Sequence, residues 1–296
     1  MRIHVTIAHY FKPTSGFYGS ARANPAARIA ALTRVLESLH VNFGPRQGLL
    51  NPAARLLDDT NDQMGAELKV TICTTKGEHL IADLPGLLFT EHATDAEPML
   101  LGYECHDVLR QSLGEFDYYC YLEDDIEVAD PWFFRKLDWF SAKASNKALL
   151  QPNRFERTHL DRVYKLYIDC NLRKPELSDK FQDMSVRPQI KASMLGAPLM
   201  FQRINNPHAG CFFLNAAQME SWSKKPYFLD RSADFGGPLE SAATLGIMRC
   251  FNIYKPSREN ADFLEVVHLH HRYIGRYLEF EDVPPFRFRI LKPKDS

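Results

Sequence analysis

Residues 118–134 read YYCYLEDDIEVADPWFF. A bulky apolar run, Tyr118 to Leu122, passes directly into Glu123, Asp124 and Asp125, and a hydrophobic segment resumes at Ile126. Neighbouring carboxylates repel one another and are costly to desolvate. A strand that carries three of them to its end therefore calls for something positive there. If the strand continues through the acids, its two-residue period puts Glu123 and Asp125 on one face and Asp124 on the other. Asp130 followed by Pro131 then marks a helix start, an N-cap with proline at the first position. The helix PWFFRKLDWFSAKA (131–144) turns Phe133, Phe134, Leu137 and Phe140 toward a core.

Working outward, RIHVTIA (2–8) alternates Ile3, Val5 and Ile7 with polar residues and is a first strand. A long loop rich in Gly, Pro and Ser follows it. A helix over about 26–39 carries Ile29, Leu32, Val35, Leu36 and Leu39 on one stripe. Residues 44–67 form an irregular insertion, LKVTICT (68–74) is a second strand, and LPGLLFTEH contains a third. Residues 99–113 are helical by the spacing of Leu101, Cys105, Val108 and Leu109. ALLQP is a short strand. CFFLN ends at Asn215, which caps AAQMESW; PLESAATLGIMRCF is a helix, and FNIYKP and EVVHLHHRY supply strands. The segment 153–206 has no clear period.

Strand–helix alternation predicts an α/β fold, a mostly parallel central sheet flanked by helices. Ligands bind beyond the carboxyl ends of such strands, where the acidic triplet stands. The chain reads as a single domain over 1–296. About 1–150 are expected to form the donor-binding half, and 151–296 the acceptor-binding and catalytic half, with a smaller mixed region on that side.

Composition narrows the function. Of 296 residues, 45% are hydrophobic and 25% charged, with a formal net charge of −1, so nucleic acid is not the expected partner. Cys73, Cys105, Cys120, Cys170, Cys211 and Cys250 are widely spaced with no CxxC pair. That spacing suits core thiols in a reducing cytosol, and the expected location is cytoplasmic. No apolar run reaches membrane-spanning length, so no membrane span is expected.

Two carboxylates on one side of a strand offer hard oxygen ligands to Mg²⁺ or Mn²⁺, which accept phosphate oxygens as further ligands. The plain alternative is a solvated acidic turn. The YLEDDIEVADPWFF stretch resembles the DxD-type metal site of GT-A-fold glycosyltransferases, and LEDDI with its aromatic-rich helix is similar to the branching N-acetylglucosaminyltransferases. The likeness covers under about twenty residues and speaks for the superfamily rather than a substrate. It implies a GT-A (Rossmann-like) layout and transfer from a nucleoside diphosphate sugar to the hydroxyl of a carbohydrate or other acceptor, with inversion expected and a retaining course left open. Asp125 would bind Mn²⁺ or Mg²⁺, while Glu123 and Asp124 would contact ribose or metal-bound water.

Three further stretches fall in the order that resemblance requires. In NPHAGCFFLN, Gly210 resembles the glycine that lets backbone approach the donor. In SADFGGPLESAATLG, Glu240 opens a helix at the position of a general base, with Asp234 as its substitute. In VVHLHHR, His268, His270 and His271 follow a strand, and His268 is the favoured metal ligand because it ends the apolar run. His9, Tyr10 and Phe11, with Thr74 nearby, are placed to line a nucleotide site, and Arg22 and Arg28 to touch diphosphate. Each also has an ordinary structural role available: a turn, a helix-end acid, a core aromatic, a solvated arginine. Two other readings compete. A nucleotidyltransferase would use Lys12, Gly16 and Gly19 of the first loop, and a non-catalytic module would hold metal or nucleotide without turnover.

Overall fold

The computed structural model describes residues 1–13, 24–45, 47–61, 67–84, 89–160, 163–169, 171–270, 273, 278–280 and 288–290. Arg22, Gly16, Gly19, Cys170 and His271 lie outside the described residues. In chain order the elements are β1 (Arg2–Ala8), α1 (Pro25–Phe43), β2 (Gly48–Asn51), β3 (Leu56–Asp59), β4 (Glu67–Thr75), β5 (Thr90–Thr94), α2 (Leu101–Gln111), β6 (Tyr118–Glu123) and β7 (Ile126–Glu127). There follow α3 (Phe133–Ala144), β8 (Ala148–Leu150), β9 (Asn153–Leu160), β10 (Val163–Tyr167), α4 (Glu176–Asp179), β11 (Gln189–Met194), β12 (Ala197–Arg203) and β13 (Cys211–Asn215). Then come α5 (Ala216–Ser223), α6 (Pro238–Cys250), β14 (Asn252–Pro256), β15 (Glu265–His268), β16 (Leu278–Phe280) and β17 (Phe288–Ile290).

The protein is α/β. Its central sheet has the order β13-β6-β1-β4-β5. β6, β1, β4 and β5 run parallel, and β13 is antiparallel at one edge. Alternation along β1 divides the core as expected. Ile3, Val5 and Ile7 are fully buried with Leu32, Val35, Leu36 and Leu39 of α1 and with Phe133, Phe134, Leu137 and Phe140 of α3. On the opposite face Tyr119 and Tyr121 pack with Leu101, Cys105 and Leu109 of α2, Phe212 and Leu214 of β13, and Leu245 and Met248 of α6. Each such aliphatic side chain contributes about 1.5–3 kcal/mol by leaving water, which pins both layers to the sheet. Asn24 caps α1 by accepting the Ala26 N–H at 2.9 Å, with Pro25 at the first position.

The segment without a readable period holds the two hairpins β9–β10 and β11–β12. These join two mixed four-stranded sheets, β10-β9-β15-β7 and β11-β12-β14-β8. The insertion at 44–67 contains the hairpin β2–β3. α3 begins at Phe133, two residues later than expected. Asp130 accepts the Trp132 N–H at 2.8 Å and pairs with Lys136 at 2.7 Å, so it closes the turn before the helix. Asn215 caps α5 in a capping box with Gln218, as its sequence implied. Among the described residues no helix is long and apolar enough to cross a membrane.

Two buried histidines give the fold a definite acid response. His4 lies between Ser112 Oγ at 2.8 Å and Thr71 Oγ1 at 3.0 Å. His106 is enclosed by the rings of Tyr103, Tyr121, Phe212 and Trp222. Burial pushes both imidazoles down to about 3, with Lys69 adding to the effect at His4. Both stay neutral in the folded protein, while the unfolded chain takes up protons near pH 6.5. The stability these two histidines lend is therefore whole above pH 6.5 and falls as pH drops from there toward 3. At pH 5 each histidine should cost about 2 kcal/mol. Other groups titrate over the same range, so the test is a difference between proteins: in urea unfolding, the change from pH 7.5 to pH 5 should be about 2 kcal/mol less adverse for His106→Phe than for the wild type.

Candidate functional site at the mouth of the parallel sheet

Strand β6 ends at Glu123, level with Ala8 of β1, and the chain turns at Asp124 and Asp125 rather than extending through them. The turn carries the three acids to three different surroundings. It also leads into β7, where Ile126 pairs with His268 and Glu127 with Val267 of β15. The Leu269 N–H donates to the Asp125 carbonyl at 2.9 Å. That pairing brings the C-terminal histidines to the acids across more than 140 residues.

Asp124 is the innermost acid. Its Oδ2 accepts from His9 Nδ1 at 2.6 Å and from the Arg28 guanidinium. Burial alone would raise this carboxyl, but Arg28 and His9 outweigh it and hold it at about 2. His9 has no exposed surface, and its Nε2 accepts the Leu80 N–H at 3.2 Å, so Nδ1 carries the proton given to Asp124. His9 therefore positions Asp124 rather than lining an open nucleotide surface. Arg28 likewise is inward and only 5% exposed, donating to Asp124 and, at 2.8 Å, to His270 Nε2.

Asp125 faces the histidines. Its Oδ2 is 3.8 Å from His268 Nε2, 3.9 Å from His270 Nε2 and 3.8 Å from Arg28 Nη1. Its Oδ1 is buried with no hydrogen-bond partner. His268 Nδ1 donates to Glu156 Oε1 at 2.9 Å, which turns the Nε2 lone pair toward Asp125. Burial lowers His268, but Asp125 and Glu156 together carry its pKa above the ordinary value. His270, the other histidine beside Asp125, is lowered by burial. Among the described residues, no group of three or more His, Cys, Asp or Glu side chains converges to hold a metal ion.

Glu123 packs against Gly210, whose carbonyl accepts the Glu123 N–H at 2.9 Å. Burial and the neighbouring Asp125 charge push Glu123 up to about 8, and Glu240 adds to the same push. Gly210 has φ +62°, and a Cβ there would stand 2.8 Å from Glu123 Oε2 and 3.2 Å from Ile126 Cδ1. Gly210 is thus required by its own backbone and by Glu123. Gly210→Ala should destabilise the protein by about 1–3 kcal/mol and displace Glu123. A lowered urea midpoint checks the first effect.

Glu240 lies in the first turn of α6, half-buried and folded back over Gly236 and Gly237. Asp234 is exposed and accepts from Ser232 Oγ at 2.8 Å. Tyr10 donates to Glu78 at 2.6 Å. Thr74 is buried and donates to Glu91 at 2.6 Å.

Sequence reading missed the supports of this site. Arg154 and Glu156 come from β9, Asp169 from just beyond β10 and Lys255 from β14. Asp169 receives Arg154 at 2.9 Å and Lys255 at 2.7 Å, and Lys255 also donates to the His208 carbonyl at 2.7 Å. Burial would raise Asp169, yet the two cations hold it at about 2. Arg154 in turn opposes the upward shift of Glu123. One signal was present: Lys255 interrupts the apolar strand NIYKP, and lysine is almost never fully buried unless paired.

The fold and site define an α/β protein with a carboxylate–histidine cluster at the carboxyl end of its parallel sheet. No protein-family model matches the chain, and no curated protein matches it. Among solved structures it is similar to HddC from Yersinia pseudotuberculosis, with 13% identity over 85% of this chain and 89% of that one and a TM-score of 0.37.

Proposed function

We propose that the chain is a metal-dependent glycosyltransferase with a GT-A layout, moving a sugar from a nucleoside diphosphate sugar to an acceptor hydroxyl with inversion. The observation that carries this reading is the Asp125 carboxylate: its Oδ1 is buried without a hydrogen-bond partner, and its Oδ2 lies 3.8 Å from Nε2 of a histidine whose other nitrogen is fixed by Glu156. A carboxylate holding the far nitrogen of a metal-binding histidine is the usual means of orienting such a ligand. Asp125 and His268 would hold Mn²⁺ or Mg²⁺. Two protein ligands suit ions that take their remaining ligands from phosphates and water. When bound, the ion supplies charge that stabilises the departing diphosphate.

The chain's own residues have distinct tasks in this scheme. Arg28 and His9 lock Asp124, which fixes the turn that aims Asp125. Glu123 sits between Asp125 and Gly210 and adds negative charge once a cation is bound. Glu240 accepts the proton of the attacking hydroxyl, with Asp234 the substitute. Glu240→Gln should keep donor binding in calorimetry and lose about a hundredfold or more in transfer. Unchanged transfer would remove it as the base. Release of pyrophosphate from a nucleoside triphosphate would replace this reading with nucleotidyl transfer, and tight metal binding without turnover would replace it with a binding module.

A further inference from the structure

His208 has no task in the transfer scheme, yet it is held firmly beside the acids. It stands two residues before Gly210, on the segment that enters β13. Two elements fix it. Its carbonyl accepts from Lys255 Nζ of β14 at 2.7 Å, and Lys255 is itself anchored by Asp169. Its Nδ1 lies 3.0 Å from Oγ1 of Thr244, a fully buried residue of α6. Thr244 follows Glu240 by one helical turn, so the imidazole packs on the face of α6 that carries Glu240.

With Nδ1 engaged the ring's orientation is set. Its Nε2 is neither bonded to another described residue nor sealed from solvent, and the residue is half-buried. The charges of Arg154 and His268 reach both His208 and Glu123, and that of Glu240 reaches Glu123 as well. Burial, with Arg154 and Lys255 outweighing the pull of Asp169, holds the imidazole well below the ordinary histidine range. The ring is therefore neutral at physiological pH. A neutral imidazole is a weak partner for a phosphate, which calls for cations. It suits a hydroxyl, which both donates and accepts and so matches either tautomer.

We infer, resting on the glycosyltransferase reading of this site, that His208 is a specificity residue whose Nε2 bonds a ring hydroxyl of the sugar being transferred. Inversion places the departing diphosphate and the base on opposite sides of that sugar. His208 is tied to both sides: along the chain to Gly210, which bonds Glu123, and across Thr244 to the helix turn that bears Glu240.

Calorimetry on the full chain with Mn²⁺ tests the assignment. The probes are free uridine, guanosine and thymidine diphosphates and their glucose, mannose and N-acetylglucosamine esters, with no acceptor present. For the ester that the wild type binds, His208→Ala should weaken binding by about three- to tenfold, the worth of one neutral hydrogen bond, and leave the free diphosphate unchanged. His208→Gln, which keeps a hydrogen-bonding group at similar reach, should restore most of the affinity. Thr244→Val, which frees the ring without removing it, should reproduce part of the loss. An equal loss for ester and free diphosphate would mark a structural role and overturn the assignment. So would unchanged ester binding, including the case in which only the KM for an acceptor rises, which would give the ring to the acceptor instead. A wild type that binds none of these nucleotides would sink the transferase reading together with the assignment, whereas a wild type that binds them and ignores His208→Ala would sink the assignment alone.

Discussion

Asp125→Ala is expected to lower Mn²⁺-dependent transfer by roughly a hundred- to a thousandfold, the range seen when one preorganised group that stabilises transition-state charge is removed. The same substitution should leave the melting temperature unchanged or raise it. Asp125 Oδ1 makes no hydrogen bond, and the Asp125 charge helps push the buried Glu123 carboxyl to about 8. Deleting it removes that repulsion and breaks no bond through Oδ1, while it gives up the attraction of Oδ2 to Arg28 and His268 at 3.8 Å, so the two effects offset. Loss of transfer without loss of stability is the pattern of a functional group rather than a structural one. Calorimetric titration of Mn²⁺ with a nucleoside diphosphate supplies a second readout: binding should require the metal in the wild type and lose that dependence in the variant. Equal turnover by both proteins, with and without chelator, would remove the metal role.

Asp169→Ala should have the opposite profile, a large loss of stability. It leaves Arg154 and Lys255 buried, adjacent and without a counterion, and breaking a buried pair from one side costs about 3–5 kcal/mol. For a chain of this length that lowers the melting temperature by roughly 10 °C. Lys255→Met should cost less, because Asp169 keeps both the side-chain and the backbone bond from Arg154. Unfolding in urea ranks the two. If Lys255→Met proved the more damaging, the cluster would be held together by the lysine and its bond to the His208 carbonyl instead.

The elements most legible in advance were those whose signal is local. The alternation of Ile3, Val5 and Ile7 gave β1, and the 3.6-residue stripe of Leu32, Val35, Leu36 and Leu39 gave α1. Asn215 was readable as the cap of α5, and the structure adds Gln218 as its partner in a capping box. Strand β9 was illegible because it buries side chains on both faces. Arg154 and Glu156 are as enclosed as Phe155, so neither alternation nor a run of apolar residues marks the strand. The extension of β6 through the acids failed for a related reason, since hydrophobicity cannot register a turn made of two carboxylates, Asp124 and Asp125.

Within the site the same boundary holds. Local order in the chain determined that three carboxylates end a buried parallel strand, and that positive charge is called for beside them, which Arg28 supplies at Asp124. It did not determine their partners. The pairing of β15 with β7 brings His268 and His270 to Asp125, α1 delivers Arg28 to Asp124, and β9 places Glu156 behind His268. These contacts span roughly 100 to 145 residues. They are chosen by which sheets can share an edge and bury their apolar faces together, and no spacing along the chain encodes that choice. Propensity and period act over a few residues, whereas charge compensation in a buried site is settled only when distant strands have packed.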